Sequence, residues 1–226
     1  ETDDSLHLLN NVAASGDIDL FDHLVHRGAN TSLCTALNAA SRNKDAGSST
    51  AMVTHLLEIH NMEINQSKDD IRHFSHDPRE KGSPLCSAIL HRNLAVVHEL
   101  LKRGARVNDP PWFPIYYAVK GGALSPALEP LLRAGANATE ALKISASMMN
   151  IDAAKACLRF GADPAPALSE AIEREERRAR RIPSDAEYDK KNPESSYEKS
   201  EKEIEKGRTE ERESQAMVAL LKSALK

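Results

Sequence analysis

An all-α solenoid of about five to six short helix pairs is the fold class that this sequence predicts, and three observations predict it. One pattern recurs along the chain: an apolar helix end, then Gly-Ala, then a polar turn. Its anchors are Gly28, Asn61, Gly104, Gly135 and Gly161, spaced by 33, 43, 31 and 26 residues. A period near 33 residues marks a repeat architecture. Aromatic residues make up only 4% of the 226 residues, which suits short, closely packed helices better than sheets.

The repeats justify themselves in order. "LVHRGANTS" at 24–32, "LLKRGARVN" at 100–108, "LLRAGANAT" at 131–139 and "CLRFGADPA" at 157–165 share the pattern. "LLEIHNMEIN" at 56–65 keeps the frame with Asn61 where Gly would stand. A helix commonly ends on a left-handed residue; Gly adopts it without a Cβ penalty and Asn is the next-best choice. Ahead of each stop a first helix is expected. "SPLCSAI" at 83–89 puts Pro84 in the first turn, where its missing N–H costs nothing, and "FPIYYAV" at 113–119 matches it. Leu24, Leu56, Leu57, Leu100, Leu101, Leu131, Leu132 and Leu158 are expected in a shared core, because one repeat cannot bury its apolar face alone.

"SPLCSAI…NLAVVHELLKRGARVN" resembles the ankyrin repeat, whose signature is Thr-Pro-Leu-His-x-Ala-Ala, a Val-Val-x-Leu-Leu-Leu helix and Gly-Ala-Asp. The resemblance covers about residues 5 to 181 in five units and part of a sixth. The sequence departs from the signature in two ways. Cys86 and Tyr116 replace its His, and units two, five and six have short connections where the family has a β-hairpin finger. The resemblance implies an ankyrin-repeat α-solenoid with irregular fingers, and a concave groove lined by the fingers and the outward side of the first helices.

Composition narrows the partners. A net charge of −4 lacks the basic field of a nucleic-acid binder. No apolar run approaches membrane-spanning length, and the acidic start does not read as a signal peptide. Cys34, Cys86 and Cys157 are odd in number and lack metal-ligand spacing, so they read as free thiols of the cytoplasm or nucleus.

Three stretches break the period: 41–50 between the helices of unit two, 66–82 before unit three, and 182–208, which is rich in Glu, Lys and Ser. The last is too poor in apolar residues to order itself by burial and is expected to be a disordered insertion. "PALSEAIEREERRARR" at 166–181 and the amphipathic "ESQAMVALLKSALK" at 213–226 are expected to pair across it as a capping repeat. The expected organisation is therefore repeats and the first cap helix over 1–181, the insertion over 182–208 and the capping helix over 209–226. Pro183 and Pro193 argue against one continuous helix. "RRARR" at 177–181 reads as a solvated face because Glu173, Glu175 and Glu176 interleave it.

No phosphate loop, nucleophile elbow or zinc-protease motif is present. His26 and Arg27 precede the Gly stop, where a cation suits a helix C-terminus; His55 and His60 are placed alike. His73, His76 and Asp77 form the remaining metal candidate, but no further ligand accompanies them. No metal site and no cofactor are expected.

Trp112, Phe113, Tyr116 and Tyr117 fall within six residues. In the ankyrin frame Phe113, Ile115 and Tyr116 are expected to pack between repeats. The resemblance places Arg42, His91, Trp112, Tyr117, Lys120 and Met148 on the groove, with Phe74, His73 and His76 of the long finger beside it. Two readings stay open. In the first the groove binds another protein, anchored by Trp112 and Tyr117. In the second the 66–82 finger and the Trp112 finger enclose a small organic molecule, with His91, His73 and Tyr117 as acid-base candidates.

Overall fold

The structure, a computed structural model, describes residues 2–31, 34–66, 82–108, 114–120, 125–191 and 201–225. Among these residues the secondary structure is entirely helical. The chain divides into two compact units, 1–136 and 137–226. The first holds α1 (Thr2–Ser15), α2 (Ile18–His26), α3 (Ala36–Ala40), α4 (Ala46–Glu58), α5 (Pro84–Leu90), α6 (Leu94–Lys102), α7 (Pro114–Lys120) and α8 (Leu128–Arg133). The second holds α9 (Ala138–Ser147), α10 (Ile151–Arg159), α11 (Pro164–Lys191) and α12 (Glu201–Ala224).

Odd-numbered helices are the first members of their pairs. In the first unit α1 packs on α3, α3 on α5 and α5 on α7, while α4 packs on α6 among the second members. In the second unit α9 packs on α11 and α10 on α12. Neighbouring pairs thus stack first helix on first and second on second, so each covers the other's apolar side.

The turns explain the register. Gly28, Asn61, Gly104, Gly135 and Gly161 all have positive φ, at 96°, 49°, 83°, 88° and 79°. The amide after each Gly reaches back five residues: Ala29 to Leu24, Ala105 to Leu100, Ala136 to Leu131 and Ala162 to Cys157. This is the Schellman closure that satisfies the last carbonyls of a helix. A positive-φ residue likewise ends three first helices, at Gly16, Arg92 and Met149, with φ of 83°, 59° and 53°. The residue after each is Asp or Asn, and its side chain caps the second helix. Asp17 accepts from the Leu20 amide, Asn93 from Val96 and Asn150 from Ala153. Asn93 also ties adjacent pairs together, donating to the Asn43 carbonyl and to Ser49 Oγ, each at 2.8 Å.

Of the eight leucines expected in the core, Leu56, Leu100, Leu131 and Leu132 are buried, whereas Leu24, Leu57, Leu101 and Leu158 are half-buried. Successive helical residues point about 100° apart, so both members of a Leu-Leu pair rarely face the core fully. Phe21, with no exposed surface, is the largest fully buried side chain among the described residues.

The two C-terminal helices pack on each other: α12 lies against α11, Ser214 donates to the Glu175 carboxylate, and Met217 and Leu221 are buried. Leu225, in the same amphipathic segment, is 51% exposed. The helical bounds differ from the sequence reading. The first cap helix does not end at 181; α11 runs through Pro183 to Lys191, and α12 begins at Glu201. Proline removes one rung of the hydrogen-bond ladder, but the Ala, Glu, Lys and Arg around it are good helix formers. Both ends of the 182–208 stretch are therefore helical, and 192–200 lies outside the described residues.

Candidate functional site

Helix α7 carries the candidate binding residues, and its periodicity decides which way they face. Pro114, Ile115, Ala118 and Val119 are its buried side. Tyr116, Tyr117 and Lys120 lie on the remaining side of the helix. Tyr116 is 37% exposed, which corrects the expectation that it packs between repeats, while Tyr117 is half-buried. With Ile115 fixed in the core, Ala118 and Val119 complete an i, i+3, i+4 stripe, and Tyr116 falls outside it. The two tyrosine rings meet edge to face, 5.6 Å between centroids, and Lys120 Nζ lies 5.6 Å from the Tyr116 centroid. That places an ammonium within cation–π range of an exposed phenol ring.

The other sequence-predicted residues of the first unit sit at matching places. Arg42 follows Ser41, the C-cap of α3, and His91 is the C-cap of α5. Lys120 is the last residue of α7. Three first helices that pack in succession thus end in Arg42, His91 and Lys120. His91 Nδ1 lies 2.9 Å from the Ser87 carbonyl oxygen, which holds the ring against its own helix. Met148 is the C-cap of α9 and 37% exposed, the counterpart of His91 in the second unit. Trp112, Phe113, His73, Phe74 and His76 lie outside the described residues.

One constellation escapes a local reading of the sequence. Asp22 on α2, His55 in the last turn of α4 and His60 just beyond it converge. Both imidazole Nε2 atoms approach the same carboxylate oxygen, Asp22 Oδ1, at 2.7 and 2.8 Å. Burial raises the Asp22 pKa, but the hydrogen bonds from His55 and His60 outweigh it and leave it below the ordinary carboxylate value. His60 also meets the edge of Phe21, with ring centroids 5.2 Å apart. The repeat period holds the signal for this meeting. Asp22 and His55 are 33 residues apart, as are the stops Gly28 and Asn61, so they occupy one register position in consecutive repeats.

None of the three cysteines is in a disulfide, and all three are buried. Burial pushes the Cys157 thiol up to about 11, against a weaker opposing hydrogen bond from Ser145. Buried, protonated thiols make poor nucleophiles. Among the described residues no helix is long and apolar enough to cross a membrane.

No protein-family model matches the chain, and no curated protein matches it. Solved structures do. The human ASB11 ankyrin repeat domain is similar at a TM-score of 0.51 and 23% sequence identity, over 69% of this chain and 70% of that one. The likeness shows the fold: an ankyrin-repeat α-solenoid.

Proposed function

We propose that this ankyrin-fold chain is a protein-interaction module whose first unit holds its partner against the ends of its first helices. The observation that carries the reading is the exposed Tyr116, edge to face with Tyr117 and beside Lys120. A cation at a helix C-terminus needs no partner to explain it. An exposed Tyr116 serves no core, and tyrosine and arginine are the side chains that anchor interfaces. Arg42 and His91 extend the surface along the neighbouring helices, and Trp112 adjoins it in sequence. The positive rim fits a partner segment bearing carboxylates around an apolar anchor. The small-molecule reading depends on Trp112 and the 66–82 finger, and no described residue adds support to it.

A photo-crosslinking residue placed at Tyr117 should trap a discrete partner, and the same residue at exposed Lys155 on α10 should not. With that partner purified, Tyr116→Ala and Lys120→Ala should each leave the fold intact. Their combination should weaken binding by about 2 kcal/mol or more if the pair is a hot spot. Crosslinks at Lys155 alone, or full affinity in the double variant, would sink the reading.

A further inference from the structure

We propose that Asp22, His55 and His60 form a binding site for one divalent transition-metal ion of the zinc class. The site is independent of the binding surface on α7.

Three observations carry the inference. The first is convergence. Two imidazole nitrogens and a carboxylate oxygen lie within 4.8 Å of one another, and both nitrogens aim at one oxygen atom. Asp22 Oδ1 meets both imidazoles through its two lone pairs, and the same convergence presents three ligand atoms to a single cation. The second is scale. Zinc bonds to imidazole and carboxylate run about 2.0–2.2 Å, which sets tetrahedral ligands roughly 3.3 Å apart. The N···O separations of 2.7 and 2.8 Å need to open by only about half an ångström to match. The third is access. The His55 and His60 side chains are 17% and 13% exposed and Asp22 is 45% exposed. The imidazoles are held by the fold while the carboxylate side faces water, so an ion can enter and keep water in its remaining position.

The ligand set selects the ion. Two imidazoles with one carboxylate suit zinc and its neighbours in the first transition row, whereas calcium and magnesium favour all-oxygen sites. The backbone supports the same reading. Asn61, at φ 49°, reverses the chain directly after His60, and the Met62 amide returns to the Leu56 carbonyl. The helix stop that carries Asn in place of Gly thus directly follows His60, whose ring lies 5.2 Å from the His55 ring, centroid to centroid. A bound ion would clip this turn to α2, joining the first two repeats by a short ligand bridge.

The test is Zn²⁺ titration of the chelator-stripped 226-residue chain, followed by calorimetry and thermal melting, with Co²⁺ absorption as a spectroscopic report of imidazole ligation. One equivalent should bind and raise the melting midpoint. His60→Gln should weaken Zn²⁺ binding at least about tenfold. Should that variant not fold, Asp22→Asn, at a half-exposed position, must weaken binding likewise. His73→Ala/His76→Ala should leave binding unchanged. Absence of saturable Zn²⁺ binding to the wild-type chain would overturn the site. So would binding that survives both His60→Gln and Asp22→Asn, or that disappears in the His73/His76 variant.

Discussion

At the residue scale, neighbouring side chains on one helix do opposite jobs. Ile115 is 1% exposed and Tyr116 37%. Ile115→Ala should cost about 2–5 kcal/mol, the range for a buried aliphatic truncation. Tyr116→Ala should cost less than about 1 kcal/mol, since it loses little beyond one edge contact and one exposed cation–π contact. Paired denaturant melts decide it, and equal losses would return Tyr116 to the core. Cys157 permits a second prediction. Its folded thiol sits at about 11, above the ordinary 9.0, so the uncharged form is favoured in the fold. The resulting stability is complete below about pH 9 and is lost as pH rises through about 11, at up to roughly 1.4 kcal/mol per unit. Melts of the wild type and Cys157→Ala between these limits should diverge in slope, and parallel curves would refute the assignment.

At the element scale, the helix ends carry the repeat. Gly104 has φ 83°, and a Cβ built there meets nothing within 4 Å. The cost of Gly104→Ala is therefore conformational alone, about 1–2 kcal/mol for a left-handed residue. Gly207 lies inside α12, also with open space around a Cβ, and its φ is not positive. Gly207→Ala should stabilise by about 0.5–1 kcal/mol, because Gly in a helix interior is penalised by its own flexibility. The same change in composition should thus give opposite signs at the two sites, read by chemical denaturation. A like sign would mean that side-chain space rather than φ governs one of them.

At the scale of the whole molecule, each compact unit needs its terminal faces covered. In the second unit Met217 and Leu221, 1% and 0% exposed, supply what α12 buries against α10 and α11. Each is worth about 1.5–3 kcal/mol of transfer free energy, so deleting 213–226 removes a large part of the stability of a small unit. Amides of α10 and α11 should lose hydrogen-exchange protection in the truncated chain. Unchanged protection would mean that α12 is not a cap. Leu225→Ala, at an exposed position, should be silent within about 0.5 kcal/mol.

What the sequence by itself determined was everything that repeats. The Gly and Asn stops and the Pro that opens α5 follow from local rules. A left-handed turn or an N-cap is decided by a few adjacent residues, and a period near 33 shows the rule applied again and again. Tertiary structure alone decided the rest. The rotation of α7 that exposes Tyr116 depends on which residues the neighbouring helix covers, and one turned helix exchanges core for surface. The continuation of α11 past Pro183 depends on the whole helix outweighing one lost hydrogen bond. Asp22, His55 and His60 lie 33 and 38 residues apart along the chain. Stacking brings equivalent positions of consecutive repeats side by side, and the end of α4 sets the third ligand beside the other two.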